Sequence, residues 1–178
     1  MARRARPAPA QVQAQVQALV PAMAERDLIR IVLPDAQPLP SPYAEADRKQ
    51  AVEDLLAGNR FRPKGLNGGP YAIQIAVRDG RLILDIRDDA DAPLHALVLA
   101  LGPFRRLIKD YHLVVESHEK AVSNGGSEAR IQAIDMGRRG LHNEGATLLT
   151  ERLAGRVDID FETARRLFTL VCALHQRI

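Results

Sequence analysis

Apolar positions along the chain change their period part-way, and the change divides the sequence into two halves. Residues 28–33 are a short branched-aliphatic run closed by Pro34, which reads as a strand. Ser41 and Pro42 spell a helix start, the serine placed to cap and the proline in the first turn. Ala44, Ala51, Val52, Leu55 and Leu56 then recur at helical spacing before Gly58. After a Gly/Pro-rich loop, residues 71–77 and 82–86 alternate on either side of Asp79-Gly80, a strong short hairpin signal. Residues 94–101 add a third run to this meander.

From Pro103 onward the period becomes 3.6. Phe104, Leu107, Ile108, Tyr111, Val114, Val115, His118 and Val122 form one stripe of a long helix that stops near Asn124-Gly125-Gly126. Ser127 caps a second helix carrying Ile131, Ile134 and Met136. A third holds Leu148, Leu149 and Leu153, and Asp160 caps a last one with Ala164, Leu167, Phe168, Val171, Leu174 and Ile178 on its stripe.

Strands followed by helices is an α+β order. The expected fold is an antiparallel sheet of three to four strands with one N-terminal helix, packed on a C-terminal group of about four helices. Residues 25–178 are read as a single domain. Residues 1–24, with Pro7, Pro9 and a repeated Gln-Val-Gln-Ala, are low in complexity and read as a disordered extension.

Charge narrows the choice of partner. The 178-residue chain has a formal charge of +3, but Arg3, Arg4 and Arg6 are the only charged side chains before Glu25. Setting them aside leaves a neutral body, and the many phosphate contacts of a duplex-binding face are not provided for. Nucleic acid is therefore not the expected partner of the folded part. No apolar run is long enough to cross a bilayer, and one cysteine, Cys172, allows no disulfide within the chain. A cytoplasmic protein with an inert buried thiol is the expectation.

The segment of residues 135–145, Asp-Met-Gly-Arg-Arg-Gly-Leu-His-Asn-Glu-Gly, departs from its helical surroundings. Each glycine inside a helix costs about 0.8 to 1 kcal/mol relative to alanine, so Gly137, Gly140 and Gly145 point to a bend that exposes backbone amides or to close packing. Arg138 sits among them, with Asn143 placed to cap a following helix.

Three Arg-Arg pairs, Arg105-Arg106, Arg138-Arg139 and Arg165-Arg166, occupy the helical half. Asp110, Asp135 and Glu162 stand at helical spacing from Arg106, Arg139 and Arg166, which leaves Arg105, Arg138 and Arg165 less committed. Structural salt bridges are one reading. The other is an anion site in which free guanidiniums offer forked donors to a phosphate or carboxylate. The ligand-binding set on that reading is Arg105, Gly137, Arg138, Arg139, Gly140, His142, Asn143, Glu144 and Arg165.

Other chemistry is thinly supported. His142 and Glu144 are two apart and would share a site as base and orienter only in a loop. No metal-binding spacing occurs, and no cofactor motif. Tyr111 falls at the centre of its stripe, a core ring whose hydroxyl needs a partner.

The chain resembles the bacterial uncharacterised protein family (UPF) 0262. The matching stretches are Gly69-Pro70-Tyr71-Ala72, Leu84-Asp85-Ile86-Arg87-Asp88, Pro103-Phe104-Arg105-Arg106 with Lys109-Asp110-Tyr111 and Glu116-Ser117, residues 134–145, and Asp160-Phe161 with residues 163–170. His112 and His118 depart from the pattern and are given no catalytic role. The resemblance implies a soluble bacterial cytoplasmic protein and brings no reaction, ligand or partner with it.

The sequence therefore favours a non-enzymatic binding or regulatory protein that recognises a small anion or an acidic partner segment through Arg138 and its neighbours. The alternatives are a hydrolase-like enzyme using His142 and Glu144, and an RNA or protein interaction module working through the N-terminal tail.

Overall fold

The computed structural model describes residues 27–175; the extension expected over residues 1–24 and the stripe position Ile178 lie outside them. Strand β1 (Leu28–Val32) leads to helix α1 (Pro42–Ala57), then β2 (Phe61–Pro63), β3 (Tyr71–Arg78), β4 (Arg81–Arg87) and β5 (Pro93–Ala100). Helices α2 (Arg105–Ser123) and α3 (Glu128–Leu153), strand β6 (Val157–Ile159) and helix α4 (Phe161–Leu174) complete the order. The α+β class is as expected.

The four-stranded sheet has the order β1-β3-β4-β5. Strands β3, β4 and β5 form the expected antiparallel meander, and Asp79 and Gly80, both at positive φ, make the two-residue turn of its first hairpin. The sheet is nonetheless mixed, because β1 pairs with β3 in parallel. A parallel neighbour requires a crossover of a dozen or more residues, and α1 with β2 supplies it. The sequence reading recognised the strand and the helix but not the crossover they make. It also missed the small antiparallel pair of β2 with β6, whose strands are only three residues each.

A second correction concerns the glycine-rich segment. Residues 135–145 do not bend: α3 runs unbroken for 26 residues, capped by the Ser127 hydroxyl, which accepts from the Arg130 amide. The two helices expected on either side of the segment are one, and Asn143 lies inside it rather than at a cap. Packing overrides the glycine cost, since the C-terminal half of α3 buries Ala146, Leu149 and Leu153.

Helix α4 is the hub. Its Leu167, Phe168, Leu170, Val171 and Cys172 are all buried, and it packs against α1, α3 and β3. Such all-round burial marks a central helix. Gly145 of α3 makes the closest approach possible: a Cβ there would lie 2.1 Å from Cδ1 of Phe168. Asn59 then fixes α1, its side chain bonding both backbone groups of Leu28 and the Leu55 carbonyl. These contacts set the spacing of α1, α3 and α4, between which the polar site lies.

Candidate functional site

Core positions on three helices carry polar side chains. On α1, Asp47 falls on the same face as buried Ala44, Ala51 and Leu55. On α3, Arg138 and His142 extend the stripe that continues through Gly145, Ala146, Leu149 and Leu153. On α4, Thr169 is buried one turn after Arg165. Together with Arg139, Arg166 and Asp54 these residues line a cleft of about 290 Å³.

The floor of the cleft is a bonded network. Arg138 donates from Nη1 to Asp47 Oδ1 at 2.5 Å and from Nε to Asp135 Oδ1 at 2.9 Å. The Tyr111 hydroxyl, reaching in from α2, donates to Asp47 Oδ2 at 3.1 Å, which is the partner its core position required. Tyr43 donates to Asp135 at 2.7 Å while its ring stacks on His118, with centroids 3.7 Å apart, and lies under the Arg138 guanidinium. Arg138 is thus held from three sides and is the anchor of the site rather than a loose ligand donor.

Burial and charge set the protonation states. Burial pushes the Asp47 carboxyl up, past the opposing pull of Arg138 and the Tyr111 hydrogen bond. Burial acts on Asp135 in the same sense, but Tyr43, Arg138 and Arg139 together outweigh it and hold that carboxyl below its usual range. Burial, reinforced by the guanidiniums of Arg138 and Arg165, holds the His142 imidazole down to about 3, so it is neutral near pH 7. Burial also raises the thiol of Cys172, which is buried as expected.

Hydrogen counting assigns the His142 tautomer. The Thr169 hydroxyl has one proton, which it donates to the Arg165 carbonyl at 3.0 Å. Its 3.3 Å contact with His142 Nδ1 is then made by an Nδ1–H donating to the hydroxyl oxygen. Nε2 is left as a bare acceptor. It is buried, has no hydrogen-bond partner among the described residues, and faces Asp47 Oδ2 at 3.4 Å.

Of the residues singled out from the sequence, Arg138, Arg139, His142 and Arg165 meet at this cleft. The three expected helical ion pairs are present: Arg106–Asp110 at 3.1 Å, Arg139–Asp135 at 3.1 Å and Arg166–Glu162 at 3.3 Å. Arg165 is only loosely held, 4.0 Å from Glu162. Arg105 is exposed at the start of α2 and does not line the cleft. Glu144, two residues from His142, points elsewhere: it is exposed and accepts from Arg106. Asn143 is exposed in mid-helix, and a Cβ at Gly137 or Gly140 would meet nothing within 4 Å.

Asp47, Asp54, Arg166, Thr169 and Tyr43 were not foreseen as site residues. The signal for Asp47 was present, because an acid on the buried stripe of α1 needs a partner. Among the described residues no group of His, Cys, Asp and Glu is arranged to hold a metal ion, and no helix is long and apolar enough to cross a membrane. A larger depression of about 570 Å³ lies between α2 and the ends of α1 and α4, but Glu116 and Glu119 line it and, among the described residues, no arginine or lysine does.

The family model described as Uncharacterised protein family (UPF0262) matches residues 25–177. The chain belongs to this family. It is 54% identical over 151 residues to the UPF0262 protein of Maricaulis maris, an alignment covering 84% of this chain and 94% of the relative. The UPF0262 protein of Granulibacter bethesdensis is 58% identical over 164 residues, 87% of this chain and 93% of its own length. That of Rhizobium etli is 45% identical over 150 residues, covering 84% and 95%. No solved structure matches the chain. The UPF0262 relatives carry no reaction in their names, so the cleft itself must supply the functional reading.

Proposed function

We propose that this UPF0262 protein is a binding or regulatory protein, not an enzyme, that takes a small phosphate- or carboxylate-bearing ligand, or an acidic partner segment, in the cleft between α1, α3 and α4. The observation that carries the reading is the convergence of Arg138, Arg139, Arg165 and Arg166 on one cleft whose walls, among the described residues, hold only two carboxylates, Asp47 and Asp54. Arg138 is fixed by the half-buried acids Asp47 and Asp135 and sets the field. Arg165, loosely paired, and Arg139, exposed at the rim, are the donors able to turn to a ligand. Arg105, Gly137, Gly140 and Asn143 take no part. The hydrolase alternative has less support, since Glu144 is exposed, accepts from Arg106 and lies on another side of α3 from His142. The cytoplasm is the proposed location.

Size favours a small ligand. Pockets that enclose drug-sized molecules run from about 300 to 1,000 Å³, and this cleft falls at the lower limit. The test is thermal unfolding of the full chain against inorganic phosphate, phosphorylated metabolites and small carboxylates. A ligand at about a hundredfold its Kd stabilises by about 2.7 kcal/mol, which moves Tm by roughly 5 to 10 °C for a chain of this size. Arg165→Ala should abolish the shift. A flat response across the panel contradicts the proposal.

A further inference from the structure

The cleft contains two acceptors that lack a hydrogen between them. Nε2 of His142 is bare because Nδ1 carries the ring proton to Thr169. Oδ2 of Asp47 faces it at 3.4 Å while already accepting from Tyr111. Two lone-pair atoms in a dry site repel unless a donor enters. Among the described residues no further donor is bonded there: the Asp47 side takes its bonds from Arg138 and Tyr111, and the Thr169 hydroxyl is spent on the Arg165 carbonyl.

Arginines select negative charge but do not distinguish one oxyanion from another. Acceptors do, because an unprotonated oxygen brought against a carboxylate or a bare imidazole nitrogen is repelled, whereas a protonated one makes a charge-assisted bond.

Resting on the anion-binding reading above, we infer that the cleft is selective for a tetrahedral oxyanion that retains a proton, a hydrogen phosphate group, whose single P–OH proton is shared between His142 Nε2 and Asp47 Oδ2, 3.4 Å apart, while its other oxygens accept from Arg165 and Arg139. Sulfate has the same shape and charge but no proton near neutral pH. It meets the acceptors with lone pairs and is rejected. Thr169 is a positioning residue: its hydroxyl holds the tautomer that leaves Nε2 open.

Inorganic phosphate and a phosphate monoester share this chemistry and separate by pH. Inorganic phosphate keeps one proton throughout the neutral and mildly basic range. A monoester loses its last proton at a pKa of about 6, so its binding should fade by roughly pH 8 while that of inorganic phosphate persists. Loss of binding for both at that pH would be contrary to the inference.

Calorimetric titration of the full chain with inorganic phosphate, methyl phosphate and sulfate, at matched ionic strength and at about pH 6 and pH 8, is the experiment. A hydrogen bond to a charged group corresponds to about tenfold or more in affinity, so phosphate should bind at least about tenfold more tightly than sulfate. Thr169→Val, a near-isosteric change that removes the hydroxyl holding the His142 tautomer, should cut that ratio several-fold. Equal affinity for phosphate and sulfate overturns the proton-selective reading and leaves the anion site standing. Absence of binding by all three anions overturns both.

Discussion

Arg138 Nη1 and Asp47 Oδ1, ninety-one residues apart in the chain, meet at 2.5 Å with their side chains only 15% and 10% exposed. This pair joins α1 to α3 beneath the cleft. Removing one partner of a buried ion pair leaves the other charge uncompensated, at a cost of about 3 to 5 kcal/mol, whereas replacing both is far milder.

Arg138→Met should therefore lower stability by about 3 to 5 kcal/mol in urea unfolding. The double variant Asp47→Asn/Arg138→Met should recover a substantial part of the loss. A double variant as unstable as the sum of the two singles would show that the pair does not act as a unit.

The glycines of α3 separate by role. Gly145→Ala drives a methyl group into the Phe168 ring, which is buried and cannot swing clear, and should destabilise by about 1 to 3 kcal/mol. Gly137→Ala and Gly140→Ala meet open space in an unbroken helix and should stabilise by about 0.8 to 1 kcal/mol each. Thermal unfolding of the three variants checks the signs. A loss of stability at Gly137 or Gly140 would mean that the segment bends after all.

The same glycines show what the sequence disclosed and what it concealed. Cap residues and apolar period located α1, the β3–β4–β5 meander and the outer limits of the helical half, since Ser41, Asp79-Gly80 and Asp160 act locally. Of the two readings of residues 135–145, the bend is absent and close packing holds at Gly145, where the contact that makes glycine necessary is with Phe168 on another helix. The parallel pairing of β1 escaped notice for a related reason: strand direction depends on how a crossover returns, not on any residue within β1. At the cleft, Arg138 and Arg165 were each legible as the remaining arginine of a pair whose one nearby acid was assigned to its neighbour, although each also meets that acid, Asp135 or Glu162, three residues back. Asp47 was legible only as an acid on the buried stripe of α1; which residue would partner it, ninety-one positions away, was not.

Acid should unfold the protein partly through His142. Its imidazole is held at about 3 in the fold against about 6.5 in an unfolded chain, so between those values the unfolded state binds more protons and stability falls as pH drops. Asp47, raised by burial, acts in the opposite sense, since the fold takes up its proton first and offsets part of the loss at the acid end. The slope from His142 approaches about 1.4 kcal/mol per pH unit below roughly pH 6. Urea unfolding at about pH 7.5, 6 and 5 should show this slope in the unaltered chain and its reduction in His142→Gln. Parallel slopes in the two proteins would remove His142 as the cause.

The anion site itself is most directly tested by following the arginine Nε–H resonances in an NMR titration with inorganic phosphate. Arg139, Arg165 and Arg166, which line the cleft beside the anchored Arg138, should shift together and saturate, while Arg105 at the exposed start of α2 stays in place. Saturating shifts at Arg105 with none at Arg165, or no saturating shift at any of them, would contradict an anion site in this cleft.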